Sequence, residues 1–378
     1  MPSEYQSPDN LLSRHRSPAT YHPDFLVLPE QNEETVQKVN AFLVGNGYAG
    51  ELELPAEHGV VPVAAVRGAD AKDIRDHVRA ARGGGARLPR LDLNRRHQRG
   101  TYELAYFDSV DDMTAAGRVW GHSFAFATTD MVPAEPQWKS PEHGRRPVIA
   151  LLDTGVNVAN SWFHADDGFL IREWNPPTPV KVVGHDPDFP YADVEASHGT
   201  FIAGLIRQYA PAAQILSLKI MREDGGADET NVVEALDYLV RLGEPVDVVQ
   251  MSFGRTVTEE DDDEDRRLLD RIKQLLIELA GRGVQLVASA GNQSSCEPVY
   301  PAGFAAQGVA IHSVGSGTSE DFHDDFSNHG TWVHDWFDGS DQIGPLRDGR
   351  WGRWSGTSFA VPVCAAGLVD HVFPKQTA

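Results

Sequence analysis

Three polar side chains in this chain have the types and the order along the sequence that nucleophilic attack on an amide requires. Asp153 directly follows the apolar run 148–152, His198 stands in a Ser-His-Gly-Thr segment, and Ser358 follows a Gly-Thr pair. A serine nucleophile needs a base that titrates near neutral pH, and that base needs a carboxylate to fix its tautomer. Taken singly, each residue is more typical of a helix cap, a turn or a surface position. Together they predict a hydrolytic site.

A fourth polar residue is placed to stabilise the negative charge that such an attack creates. Asn292 ends a Ser-Ala-Gly-Asn segment that directly follows the apolar run 284–288. Its side-chain amide can donate to a tetrahedral oxyanion, beside the backbone N–H of Ser358. We therefore predict that Asn292 completes an oxyanion hole.

The elements that must position these residues predict an α/β fold. Helical patterns alternate with short apolar runs of the kind that is buried on both faces of a sheet. The apolar runs are 148–152, 215–220, 246–251, 284–288 and 309–314, and the helical stretches are 200–208, 231–242 and 265–282. This alternation predicts a parallel sheet with helices on both faces. Functional groups gather at the carboxyl ends of such strands, which is where Asp153 stands.

The N-terminal part of the chain predicts a second, smaller domain. Strand patterns at 24–28, 51–54, 60–66 and 88–93 and helical patterns at 32–43 and 70–81 follow one another in the order βαββαβ. This order is typical of a ferredoxin-like α+β domain, here over residues 23–95. Residues 1–22 are polar and predict a flexible N terminus. Residues 96–146 predict a connecting segment, and the catalytic domain is expected over 147–378.

The charge and the cysteine content exclude several classes of partner and site. Lys and Arg number 33 against 55 Asp and Glu, a formal net charge of −22, so neither nucleic acid nor an acidic membrane is an expected partner. The first residues lack the basic and apolar regions of a secretory signal, and we expect a cytoplasmic protein. Cys296 and Cys364 follow no metal-ligand spacing, and a disulfide framework is not expected.

The motifs around the four polar residues resemble those of the subtilisin-like serine peptidases, the subtilase family. The matching segments are 149–156, 198–200 with Ala203-Gly204, 289–292, and 356–358 with Ala360 and Pro362. The resemblance covers residues 145–370. It implies a subtilisin-like sheet and a serine endopeptidase that acts on protein or peptide substrates without a required cofactor.

The resemblance also implies a role for each matching residue. Asp153 would orient His198, and His198 would act as general base and then as general acid for the nucleophile Ser358. Asn292 would complete the oxyanion hole. The expected substrate-binding residues are Ser252, Phe253, Gly254, Ala290, Gly291 and Val299.

Three departures from the family pattern carry expectations of their own. Val299 stands where the family often has glycine at the floor of the specificity pocket, so a narrowed pocket and a preference for Ala or Ser at P1 are expected. Phe359 replaces the usual Met after the nucleophile, which is expected to be a change in packing. Residues 339–354 are expected to form a remodelled loop just before the nucleophile, with Trp336, Trp351 and Trp354 covering apolar surface.

The resemblance leaves the N-terminal domain and calcium binding open. Many subtilases carry a βαββαβ propeptide that inhibits the enzyme, which implies intramolecular inhibition by residues 23–95 and cleavage between about 95 and 140. A permanent regulatory domain is the alternative, and for the whole chain the alternative is a non-catalytic binding module of the same fold. Family members often bind calcium, and the acidic runs 186–193 and 259–265 could contribute, but neither has a diagnostic ligand spacing.

Overall fold

The computed structural model describes ten stretches of the chain, which fall into two compact units. The stretches are 21–30, 32–55, 60–99, 126–136, 145–158, 162–163, 168–177, 196–222, 225–257 and 266–372. Unit 1 consists of Met1–Ala56 and Pro62–Arg96, and unit 2 of Glu57–Val61 and His97–Ala378. Residues 1–20 of the predicted flexible terminus and the acidic runs 186–193 and 259–265 lie outside the described residues.

Unit 1 has the βαββαβ element order that the sequence predicts. Its elements are β1 (Tyr21–Val27), α1 (Glu33–Gly45), β2 (Glu51–Glu53), β3 (Val63–Arg67), α2 (Ala71–Gly83) and β4 (Asp92–Arg99), of which the last three residues, 97–99, belong to unit 2. The strands pair antiparallel in the order β4-β1-β3-β2. Both helices begin after a side-chain cap, since Asn32 accepts the N–H of Thr35 at 2.7 Å and Asp70 accepts that of Lys72 at 2.8 Å.

Three strands in unit 1 begin at a different residue from the one expected, and one of them is β3, which begins at Val63 rather than at 60. Strand β4 begins at Asp92 rather than at 88, because Pro89 has no N–H to give to a sheet and restricts the residue before it. Strand β1 begins at Tyr21, inside the terminus that was expected to be flexible. The core of this unit is formed by apolar side chains of both helices and three strands, including Leu26, Val39 and Ile74.

Unit 2 contains a seven-stranded sheet that confirms the predicted α/β fold. Its strands are β6 (Val148–Asp153), β7 (Leu170–Trp174), β8 (Gln214–Lys219), β10 (Val248–Met251), β12 (Gln285–Ser289), β14 (His312–Ser316) and β15 (Asp335–Phe337). They lie in the order β15-β14-β12-β10-β6-β8-β7, and every pair is parallel. All six residues of β6 are buried, as expected for a central strand covered on both faces.

In the described part of unit 2, four α-helices and several short strands lie beside this sheet. The helices are α3 (His198–Tyr209), α4 (Glu229–Arg241), α5 (Arg267–Gly281) and α6 (Thr357–Val372), and α3 packs with α6 while α4 packs with α5. The short strands are β5 (Ala127–Thr129), β9 (Gly226–Asp228), β11 (Phe253–Thr256), β13 (Val299–Tyr300), β16 (Gln342–Pro345) and β17 (Trp351–Trp354). No helix in the stretches described above is long and apolar enough to cross a membrane.

The expected loop at 339–354 is instead a β-hairpin within a small antiparallel sheet. Strand β17 pairs with β16 on one side and with β5 on the other, so the predicted connecting segment contributes a strand to this sheet. Glycines allow the hairpin to lie close to aromatic rings: a Cβ on Gly344 would meet the ring of Phe201 at 2.9 Å, and one on Gly352 would meet Phe126 at 2.8 Å. These glycines obscure the alternating pattern by which a strand is recognised in sequence.

Candidate active site

Asp153 is the last residue of β6 and is held by its surroundings from two directions. Its Oδ1 accepts the backbone N–H of Thr154 at 2.7 Å. Its backbone oxygen accepts the N–H groups of Ile220 and Met221, which follow the neighbouring strand β8, at 2.9 and 3.1 Å. The side chain is buried. The carboxylate is therefore fixed at the carboxyl end of the central strands.

His198 begins helix α3 and is bound to this carboxylate. Its Nδ1 lies 2.9 Å from Asp153 Oδ1 and 3.0 Å from Oδ2, and its side chain is 0% exposed. A nitrogen that faces a carboxylate carries the proton, so Nε2 is the nitrogen that can accept one. Among the described residues, Nε2 has no hydrogen-bond partner.

Gly199 allows α3 to begin this close to Asp153. A Cβ at this position would lie 2.5 Å from the backbone oxygen of Gly155 and 3.0 Å from Asp153 Oδ1. The N–H of Gly199 also donates to Thr154 Oγ1 at 3.0 Å. The absence of a side chain thus determines how closely the helix that carries the imidazole approaches the turn that carries the carboxylate.

Ser358 is the second residue of α6, where backbone N–H groups are free of helical partners. Its hydroxyl donates to the backbone oxygen of Ser252 at 3.4 Å, and the hydroxyl of Ser252 donates to the backbone oxygen of Ser358 at 3.2 Å. The next residue, Phe359, lies with its ring centroid 5.6 Å from that of His198, so the first turns of α3 and α6 adjoin. The serine hydroxyl points to Ser252 and not to the imidazole in this conformation.

Asn292 lies in the loop after β12 with its amide oriented by Thr357. Its Oδ1 accepts both the backbone N–H and the hydroxyl of Thr357, each at 2.8 Å. Because the oxygen is used in this way, Nδ2 is the atom left to donate, and it has no partner among the described residues. The loop is tied further by the N–H of Gly291, which donates to Thr357 Oγ1 at 3.1 Å.

The expected substrate-binding residues lie on two paired strands, β11 and β13, and in the segments beside them. Strand β11 contains Phe253 and Gly254, which pair antiparallel with Arg99 and Gln98 of unit 2. On its other edge β11 pairs antiparallel with β13, which contains Val299. An extended segment therefore already occupies one edge of the strand expected to bind substrate.

Val299 fills the space between two of the expected substrate-binding glycines. A Cβ on Gly254 would collide with Val299 Cγ1, and one on Gly291 would lie 3.3 Å from Val299 Cγ2. Ala290 belongs to the same loop as Gly291, and its backbone oxygen accepts Asn328 Nδ2 at 2.9 Å. The structure therefore brings Gly254, Gly291 and Val299 together, with the valine side chain between the two backbones.

Aromatic rings next to His198 were not predicted from the sequence as part of the site. Trp354 lies edge-on to the imidazole, with ring centroids 5.7 Å apart and an interplanar angle of 84°. Trp354 also contacts Phe126, Phe201 and Phe359. In the sequence, the only sign of this contact is that Trp354 stands four residues before Ser358. That position does not reveal that the indole turns toward the imidazole.

Two further groups show how burial acts on side chains near these elements. Burial raises the pKa of the Cys364 thiol in α6, and both Cys364 and Cys296 are free thiols. Burial also raises the pKa of the Glu234 carboxyl in α4, which accepts the N–H of Val61 at 2.8 Å.

Among the described residues, no group of three or more His, Cys, Asp or Glu side chains is arranged to hold a metal ion.

Comparison with known proteins places the site region within one family. A family model described as the subtilase family matches residues 144–372. The chain is 28% identical over 223 residues to a thermophilic serine proteinase of Bacillus sp. (strain AK1), which covers 57% of this chain and 49% of that protein. It is 23% identical over 242 residues to subtilisin E of Bacillus subtilis (strain 168), with 61% and 56% covered. The chain thus matches about half the length of these two curated relatives.

A comparison with solved structures also found a match within the same family of names. It is the crystal structure of a cold adapted subtilisin-like serine proteinase, with a TM-score of 0.46 and 23% sequence identity, and the match covers 65% of this chain and 82% of that chain.

Proposed function

The chain belongs to the subtilase family, whose family model matches more than half of its residues, and we propose that it is a serine endopeptidase that cleaves protein or peptide substrates. The observation that carries this proposal is the buried pair of Asp153 and His198, joined at 2.9 and 3.0 Å next to the N-terminus of the helix that bears Ser358. A carboxylate, an imidazole and a hydroxyl in adjoining elements are the groups that acyl transfer requires.

The proposed reaction begins when His198 Nε2 takes the proton of the Ser358 hydroxyl and Oγ attacks the carbonyl carbon. Asp153 stabilises the imidazolium that forms, and the oxyanion is bound by Asn292 Nδ2 and the backbone N–H of Ser358. His198 then gives its proton to the leaving amine. In the second half of the reaction, His198 takes a proton from water, the resulting hydroxide attacks the acyl carbon, and His198 returns the proton to Ser358 Oγ as the acid product leaves. The Ser358 hydroxyl donates to Ser252 in this conformation, so it must rotate toward Nε2 before the attack. Such a rearrangement is common, since catalytic hydrogen bonds often tighten only with substrate present.

For the substrate, we propose a small P1 residue such as Ala or Ser. The contact of Val299 with Gly254 and Gly291 supports this, since its branched side chain occupies space that a large P1 side chain would need. A peptide library provides the test. Preferred cleavage after Phe or Leu would contradict the assignment of Val299.

We further propose that the enzyme is latent until part of its N-terminal half is released. Two observations within unit 2 support latency. The backbone of Gln98 and Arg99 pairs along Phe253 and Gly254, as a bound substrate strand would, and Ser358 is fully buried. A peptide substrate cannot add to this edge of β11 while the chain's own segment occupies it.

The central experiment measures labelling of Ser358 by a fluorophosphonate in the full-length chain and in Ser358→Ala. Labelling of the wild type alone is expected, and it should become faster after limited proteolysis between about 95 and 140. Labelling that is absent before and after such cleavage would favour a non-catalytic binding module. Intact masses of wild type and Ser358→Ala after storage test self-processing, and identical masses would count against it.

A further inference from the structure

We propose that Trp354 is a positioning residue that fixes the orientation of the His198 imidazole, and that strand β5 holds Trp354 in place. This inference rests on the proposed peptidase function. It assigns a task to the small sheet of β16, β17 and β5, which the acyl-transfer chemistry does not itself use.

The need for such a residue follows from how His198 is held. Asp153 contacts the imidazole only at Nδ1, at 2.9 and 3.0 Å. The torsion that turns an imidazole about its bond to Cβ has a broad energy profile, and the Nδ1 hydrogen bond can bend, so packing against the rest of the ring limits how far Nε2 can swing. A displacement of about 1 Å in a reacting group costs on the order of 10²-fold in rate, so further contacts to the ring matter for catalysis.

Trp354 supplies those contacts and is itself firmly held. Its side chain is 1% exposed, and its ring lies edge-on to His198 with the centroids 5.7 Å apart. Its ring centroid is also 5.0 Å from Phe359, 5.3 Å from Phe126 and 5.6 Å from Phe201. Aromatic pairs at these separations attract one another in defined geometries. The indole is therefore the common neighbour of four rings, one of which is the proposed catalytic base.

The backbone that carries Trp354 is held on one side by its hairpin neighbour β16 and on the other by β5, which is distant along the chain. Trp354 is paired with Gln342 of β16, and the preceding Arg353 is paired with Ala127 of β5. Phe126 directly precedes β5, and its ring fits where Gly352 has no side chain. Strand β5 thus braces the indole, although it lies in the segment expected only to connect two domains.

The experiment compares Trp354→Leu and Trp354→Phe with Trp351→Leu, each prepared as the full-length protein and measured before and after the limited proteolysis described above. Trp351 is the matched control, because it lies on the same strand, is 9% exposed and contacts Trp162 with centroids 5.0 Å apart. The measurements are the rate of Ser358 labelling by a small fluorophosphonate, kcat and KM on a peptide, and Tm. A small probe reports on the base and nucleophile without extended substrate contacts.

Trp354→Leu is expected to lower kcat and the labelling rate by about 10- to 100-fold with KM changed less than about twofold. Trp354→Phe, which keeps an aromatic ring, should stay within about threefold of wild type. Trp351→Leu should lower Tm as much as Trp354→Leu but leave both rates within about twofold.

The possible failures are distinguishable. If the two Leu variants lose rate equally, or if Trp354→Phe is as slow as Trp354→Leu, the positioning role is wrong. If wild-type Ser358 is never labelled, the proposed function is wrong and this inference fails with it. If Trp354→Leu does not fold, Phe126→Leu tests the proposal instead. A loss of about three- to tenfold in labelling rate and kcat would support the role of Phe126 in holding Trp354, and unchanged rates would overturn the proposal.

Discussion

Replacing Gly199 by alanine tests whether the approach of α3 to Asp153 sets the activity of the site. The new Cβ would lie 2.5 Å from the backbone oxygen of Gly155, where ordinary contact requires at least 3.4 Å. Backbone cannot rotate away as a flexible side chain can. The start of α3 must therefore move by about 0.9 Å, and His198, the preceding residue, moves with it.

The expected effect on stability is small and the expected effect on activity is large. Overpacking costs about 1–3 kcal/mol, while alanine in place of glycine gains about 1 kcal/mol of helix propensity, which leaves a net loss of about 0–2 kcal/mol. For a domain of this size, each 1 kcal/mol lowers Tm by about 2–4 °C. A shift of about 1 Å between Asp153 and His198 is expected to lower kcat by about 10²-fold.

The assay combines thermal melting with the rate of fluorophosphonate labelling of Ser358. Gly367→Ala is the control, because it makes the same substitution within helix α6 at a position where a Cβ meets nothing within 4 Å. The control should keep full activity and gain about 0.5–1 kcal/mol. A Gly199→Ala protein that labels as fast as wild type would refute the view that this glycine sets the Asp153–His198 geometry.

Three further predictions concern other parts of unit 2. Asn292→Ala should lower kcat by about 10²–10³-fold and also lower Tm, because Thr357 loses its acceptor; a kcat within tenfold of wild type would exclude Asn292 from the oxyanion hole. Val299→Gly should shift cleavage in a peptide library toward larger P1 residues, and an unchanged profile would place the pocket elsewhere. Burial raises the pKa of Glu234 above 4.5, and the charge of Asp237 also raises it, while the hydrogen bond from Val61 and the charge of Arg241 oppose the rise without cancelling it. The folded state therefore favours the protonated acid. The stability that this preference provides is lost as the pH rises through the raised pKa. Glu234→Gln should therefore melt above wild type at neutral pH, with a difference that shrinks as the pH falls toward 4.5; a difference independent of pH would contradict this reasoning.

The sequence predicts best those elements whose signal is local. The buried run that ends in Asp153 and the capped starts of α1 and α2 at Asn32 and Asp70 were all readable from residue types and spacing. Their physical causes, apolar burial and side-chain capping, act within a few residues.

The parts that were missed depend on partners far along the chain. Strand β5 has only three residues and no apolar alternation, and it is a strand because β17 offers it a hydrogen-bonding edge. The hairpin of β16 and β17 contains Gly344 and Gly352, which suggest a loop until the rings of Phe201 and Phe126 are seen to need that space. Neither pattern could have placed an indole beside His198.

The pairing of β5 with β17 also has a consequence for the timing of assembly. Thr129 and Trp351 are partners in this sheet, although they are more than 200 positions apart along the chain. Contacts of such high sequence separation form late, after local elements exist. During synthesis, Asp153 and His198 leave the ribosome well before β17 and Ser358 are made. Among the four residues of the proposed site, Ser358 is the last to be made, so the proposed site cannot assemble on a growing polypeptide until β17 and the start of α6 have been synthesised.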